Sequence, residues 1–246
     1  MKKSILAAVL TLGFATGAYA AAVGTVGTTN TAATNPANGT TVLGGGVAGS
    51  DHDLHDPTAT TGVGTQVCVF CHTPHGAASG AAQIVPLWNK TTTVTTGFSM
   101  YTSGTLNGTT DATPTGASMA CFTCHDGTQA VGNMINLPND IASVTYTAGG
   151  QLLGTGLVSG TALLGKDLTN DHPISITYQQ NLDSTLKDPT TFAAGTVRLF
   201  PTNANGSKVQ CASCHDVHNY GTAGTTAPFL RVSMVGSALC TSCHLK

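Results

Sequence analysis

Charge is what this sequence has least of. Asp, Glu, Lys and Arg make up 8% of 246 residues, against about 25% in ordinary globular domains. With no basic stripe or run, the electrostatic footprint of nucleic-acid binding is missing. The low net charge of -2 also sets the chain apart from disordered sequences, which are usually highly charged. Aromatic residues are 5%, with one tryptophan. Leu, Ile and Phe are too sparse to build a large core, so something else must fill the interior. Past the first 20 residues no apolar run approaches the roughly 20 residues that a membrane span needs. Threonine and glycine are abundant instead, at 42 and 30 residues. Such a composition fits a polar, exported surface.

Export is also what the N-terminus predicts. "MKKSILAAVLTLGFATGAYA" joins two lysines, an apolar run and a small-residue end, Ala18-Tyr19-Ala20. That order is a secretory signal peptide over 1–20, cut after Ala20. Residues 21–50, rich in Gly, Thr, Ala and Asn, read as a flexible arm. Residues 51–246 then form the folded domain.

All eight cysteines sit in Cys-x-x-Cys-His motifs: "CVFCH" (68–72), "CFTCH" (121–125), "CASCH" (211–215) and "CTSCH" (240–244). Each is a c-type haem attachment pattern. Two thiols three residues apart suit thioether bonds to the two vinyl groups of one porphyrin, and the next residue turns an imidazole toward the iron. Disulfides are compatible with export, but they do not require a histidine after each pair. Paired zinc knuckles would explain the cysteines but not four histidines at one offset. The expected cofactors are therefore four covalent haems. Cys68, Cys71, Cys121, Cys124, Cys211, Cys214, Cys240 and Cys243 are the attachment residues, and His72, His125, His215 and His244 the proximal ligands.

Five of the nine histidines remain: His52, His55, His75, His172 and His218. Four irons have four second axial positions, so the count is close. A step from His72 to His75, or from His215 to His218, cannot wrap around a macrocycle, because residues at i and i+3 project from the same side. His75 and His218 are therefore expected to serve other, closely packed haems. Pro173 holds His172 extended, which suits presentation of an imidazole. Of His52 and His55 only one is needed, and His52 is preferred. Methionine is the competing axial ligand. With histidines sufficient, Met100, Met119, Met134 and Met234 read as packing residues, and Trp88 in "PLWNK" as packing beside a haem.

The expected fold is mostly irregular, with short helices at the haem motifs, a few short strands and the haems themselves as the core. A helix is expected to open at the second motif, over "CFTCHDGTQAVGNM". Short strands are expected in "TTTVTTGF", "ASVTYTAGG" and "PISITYQ". Burial of porphyrin surface would drive folding, and the haem-free chain is expected to be largely unfolded.

"GSDHDLH", "CVFCHTPHG", "PLWNK", "CFTCHDGTQAV", "LGKDLTNDHPIS", "KVQCASCHDVHN", "FLR" and "LCTSCH" together resemble the exported multihaem c-type cytochromes of dissimilatory metal-reducing bacteria. Within that group the chain looks like the tetrahaem kind, including the outer-membrane cytochrome E type that polymerises into extracellular filaments. The resemblance implies electron transfer, not catalysis, through four bis-histidine haems. It implies cell-envelope cytochromes as donors, extracellular acceptors, and other copies of the chain as filament partners. It also supports His75, His172 and His218 as distal ligands. In filament-forming relatives an early histidine ligates a haem of the adjacent subunit, which makes His52 the candidate here and His55 the runner-up. A monomeric periplasmic shuttle is the alternative. A reductase would need one haem with an open position, and five spare histidines argue against that.

Overall fold

The computed structural model describes residues 33–34, 41–42, 47, 50–54, 66–79, 85–91, 96–137, 155–202, 206–218 and 229–245. They belong to the second of two units, Met1–Asn30 and Thr31–Lys246. The expected signal peptide, most of the 21–50 arm, His55 and the strand-like cores at 92–95 and 142–150 lie outside the described residues. Among the described residues no helix is long and apolar enough to cross a membrane.

Regular structure among the described residues is short. Two strands, β1 (Ala33–Thr34) and β2 (Thr41–Val42), pair antiparallel. A second sheet has β3 (Ile176–Thr177), β4 (Phe200–Thr202) and β5 (Gly206–Val209) in the order β3-β5-β4, all antiparallel. Ile176 pairs with Val209 and Phe200 with Lys208. The expected strand in "PISITYQ" thus shrinks to two residues. Ser175, just before it, has φ +53°, a left-handed conformation that does not continue a strand.

Helix α1 (Gly116–His125) buries Met119 and Phe122, spaced i and i+3, and ends on the second motif. The helix therefore leads into the motif instead of opening there. Gly127 stops it: φ is +77° and its N–H donates to the Cys124 carbonyl at 3.0 Å, a left-handed C-terminal cap. A Cβ at this position would also lie 2.6 Å from Leu163 Cδ1, so any other residue would have to displace that side chain as well as adopt a left-handed backbone. Two one-turn helices, α2 (Cys211–Cys214) and α3 (Ala238–Thr241), carry the third motif and the start of the fourth.

The core is small and unusually polar. Phe70, Met119, Phe122, Val131, Leu168 and Phe229 are buried, but so are Asn89, Lys90, Ser118, Thr123, Ser175 and Gln210. A hydrogen-bond network joins α1 to α2. Gln210 Oε1 accepts from Ser118 Oγ at 2.5 Å and from Ser175 Oγ at 3.0 Å. Ser118 Oγ in turn accepts the Cys211 N–H at 2.9 Å, so the network reaches the motif itself. Of the methionines expected to pack, Met119 does, at 3% exposure, whereas Met234 is 51% exposed and packs no core.

Candidate functional site

Each motif is one helical turn. His72, His215 and His244 donate their backbone N–H to the first cysteine's carbonyl at 2.9, 3.0 and 2.9 Å, and the second motif forms the last turn of α1. The i, i+3, i+4 spacing puts both thiols and the imidazole on one side of the turn. A helical turn that stops at its histidine leaves carbonyls and the following N–H without intrahelical partners.

Three motifs solve that problem identically. The histidine forms an isolated antiparallel bridge with an apolar residue elsewhere in the chain: His72 with Trp88, His215 with Leu230, His244 with Leu186. The residue after the partner donates N–H to the second cysteine's carbonyl: Asn89 to Cys71, Arg231 to Cys214, Lys187 to Cys243, at 2.8, 2.8 and 2.7 Å. The residue before it accepts: Leu87, Phe229 and Thr185 take N–H groups from Thr73, Asp216 and Leu245 at 2.9, 2.7 and 2.8 Å. We call these segments straps. The second motif has a different one, in which Leu164 and Gly165 both donate to the His125 carbonyl at 3.0 Å. Leu87 and Phe229 hold positive φ, +57° and +65°. Backbone strain of this kind at non-glycine residues tends to accompany functional sites.

The straps also aim imidazoles. His72 Nδ1 lies 3.0 Å from the Pro86 carbonyl and His125 Nδ1 2.7 Å from the Ala162 carbonyl. A carbonyl can only accept, so the proton sits on Nδ1 and Nε2 keeps its lone pair for a metal. His172 Nδ1 likewise meets the Pro173 carbonyl at 3.0 Å.

Two histidine pairs then stand out. The rings of His72 and His218 are 6.1 Å apart between centroids, and those of His52 and His125 are 6.0 Å apart. Two imidazoles sharing one metal ion through opposite nitrogens, at bonds of about 2 Å, have centroids roughly 6 Å apart. Each pair joins one motif histidine to one from elsewhere. Burial, reinforced by the charges of His125, His215 and His218, lowers the His52 pKa from 6.5 to about 4. Its imidazole is therefore neutral at physiological pH.

The thiols run in series. Cys71 of the first motif senses the charge of Cys124 of the second. Cys121 and Cys211 are hydrogen-bonded, which pushes the former thiol up and the latter down. Cys214 of the third motif senses Cys240, and Cys243 senses Cys214. Burial holds Cys71 and Cys243 up at about 11, so both are protonated thiols at neutral pH. All eight cysteines are free thiols. Among the described residues no three His, Cys, Asp or Glu side chains converge to hold a metal ion.

The donor set fits a haem. His52 Nδ1 and Trp88 Nε1 are buried without a hydrogen-bond partner among the described residues. Buried polar atoms are rarely left so, and both flank the histidine pairs: Trp88 lies 6.3 Å from the His72 ring. A cavity of about 480 Å³ near the third motif is lined by Phe192, Val197, Arg198, Leu199 and Arg231 among others, and by no motif cysteine or histidine among the described residues.

The structure thus brings His52 and His218 to motif histidines. His75 is exposed beside the first motif, its carbonyl taking bonds from Thr73 Oγ1 and Asn136 Nδ2 at 2.9 Å. His172 is exposed, and the charge of its neighbour Asp171 reaches Cys211. The straps are what sequence reading missed. Their signal is an apolar residue followed at once or one residue later by a base: Leu186-Lys187, Leu230-Arg231 and Trp88-Asn89-Lys90. Comparison with protein-family models and with curated proteins finds no match to this chain.

Proposed function

We propose that this chain is an electron-transfer protein carrying four covalent c-type haems in series. The two imidazole pairs at 6.0 and 6.1 Å carry the reading. Cys68 and Cys71, Cys121 and Cys124, Cys211 and Cys214, and Cys240 and Cys243 would hold the four groups. His72, His125, His215 and His244 are the proximal ligands. His218 is the distal ligand at the first motif and His52 at the second, and His75 and His172 complete the set. When bound, each group would supply one-electron exchange, and these histidines would hold it. The chain's own residues do the rest. Strap carbonyls fix the imidazole tautomers, burial keeps His52 unprotonated, and the Gln210 network holds the second and third motifs together.

Intact mass of the protein purified from its native host tests this reading. The chain from Ala21 plus four haem masses, with a fully low-spin spectrum at neutral pH, is expected. Three or fewer haems, or a substantial high-spin component, overturns it.

The resemblance extends the proposal to copies joined end to end outside the cell as a conduit from cell-envelope cytochromes to external acceptors. Exposed His75 at the first-motif end is then the ligand available to another copy, because His52 is packed against its own chain's His125 and Phe229. That same packing of His52 favours the second reading, a monomeric periplasmic shuttle. Negative-stain microscopy of the native secreted material decides: filaments support the conduit, and discrete particles the shuttle.

A further inference from the structure

Lys90 is the most unusual charge in the molecule. It is 1% exposed, whereas lysines are almost never fully buried unless paired. Among the described residues it forms no ion pair. Its Nζ donates only to backbone carbonyls, Val131 at 2.6 Å and Asn133 at 3.3 Å. The adjoining Asn89 is 0% exposed and fully bonded. Its Nδ2 donates to the Val69 and Asn136 carbonyls at 2.8 and 3.1 Å, and its Oδ1 accepts the Asn136 N–H at 2.9 Å. Backbone bonds join it to Cys71 and Ile135 as well, at 2.8 and 2.9 Å. The ammonium is therefore fixed on a rigid anchor that ties the first motif to the segment after the second. Its field reaches the second cysteine of both motifs, Cys71 and Cys124.

The other straps carry cations too, but theirs are neutralised or more open. Arg231, which bonds the third motif, pairs with Asp216 at 3.0 Å. Lys166, beside the second motif's strap, lies 3.9 Å from Asp126. Lys187 on the fourth strap is half-buried.

We propose that Lys90 is a positioning charge that raises the reduction potentials of the haems on the first and second motifs relative to those on the third and fourth. This rests on the electron-transfer reading above. A fixed positive charge favours the reduced iron, which carries one positive charge fewer. At an effective dielectric constant of about 20, a unit charge roughly a nanometre away changes a one-electron equilibrium by about tenfold, equivalent to about 59 mV.

The test is haem-resolved redox titration of the fully loaded protein, wild type against Lys90→Met and Lys90→Arg, with intact mass taken first. In Lys90→Met the midpoints of the first- and second-motif haems should fall by about tenfold in the equilibrium, with the other two falling measurably less. Lys90→Arg keeps the charge and should restore them. Unchanged midpoints in Lys90→Met overturn the proposal, as does an equal fall in Lys90→Arg, which would assign the effect to packing. If Lys90→Met does not load four haems, Lys90→Arg carries the test alone: wild-type midpoints support the charge, and lowered ones overturn it. A wild-type protein without four haems would instead sink the electron-transfer reading.

Discussion

Replacing Gln210 with leucine should loosen the joint between the second and third motifs. The side chain is 3% exposed, and Ser118 and Ser175, both 0% exposed, donate to its Oε1. The backbone bonds at the start of α2, Ser213 N–H to the Gln210 carbonyl at 2.8 Å and Gln210 N–H to Ser213 Oγ at 2.9 Å, do not involve the Gln210 side chain and survive the change. Leucine fills similar volume but accepts nothing. Two buried hydroxyls would then lack an acceptor, at about 1–3 kcal/mol each. A loss of about 2–6 kcal/mol follows, toward the low end where a freed hydroxyl rotates toward a nearby carbonyl. The assay is guanidinium unfolding of the haem-loaded protein, followed by far-ultraviolet circular dichroism. Ser118→Ala, Ser175→Ala and the double combinations with Gln210→Leu complete the cycle. The serine changes should cost less once Gln210 is gone, because their shared acceptor is already absent; what remains is the loss of the hydroxyls as acceptors for the Cys211 and Thr115 N–H groups, at 2.9 Å each. A Gln210→Leu loss below about 1 kcal/mol, the size of a surface substitution, or strict additivity with the serine changes, would refute the reasoning.

Three further outcomes are expected. His218→Met should raise the midpoint of the haem on the first motif, not the third, because the His218 ring faces His72 and a thioether ligand raises the potential; a shift mapped to the haem beside His215 would break the pairing. His52→Ala should leave four haems attached and turn the second-motif site high-spin, read by electron paramagnetic resonance; an unchanged spectrum would pass the role to another histidine. In acid, the fold should lose stability progressively as pH falls from 6.5 toward 4, because the unfolded chain takes up a proton at His52 that the buried imidazole refuses until about 4. A His52→Ala variant whose stability falls as steeply as wild type over that range would contradict this.

What the sequence disclosed best was local. Cys-x-x-Cys-His forms a helical turn because its five residues close one i-to-i+4 bond, whatever surrounds them. The stop after His125 was missed: the helix expected over 121–134 ran through Gly127, which instead caps at φ +77°. Long-range partners were not readable, because they depend on which distant backbone meets the motif's unpaired groups. Trp88 and Leu230 lie after their motifs in the chain, while Leu186 lies before its motif. No fixed spacing announces them. The step argument did separate His218 from the motif it follows. It could not choose among the other three motifs, since that depends on tertiary packing.

The strap cations follow from the same backbone chemistry. A helical turn ends with its carbonyls outward, and that end favours positive charge. A strap that donates N–H to the second cysteine's carbonyl lies across this end, so a basic residue on it stands in a favourable place. Nine Lys and Arg residues serve the whole sequence, and Lys90, Lys166, Lys187 and Arg231 are spent beside motifs. In a chain so poor in charge, few other ions compete with them. The local balance at each motif then depends on whether a carboxylate is near. Asp216 answers Arg231 and Asp126 answers Lys166, whereas Lys90 is met only by carbonyl dipoles. Carbonyls solvate an ammonium without cancelling its field at longer range. A buried lysine held this way costs desolvation, which is why its pKa is pulled down by burial. A glutamine or methionine would fill the site without that cost. The retained cost is intelligible if the unneutralised field at the first two motifs is itself what the site provides.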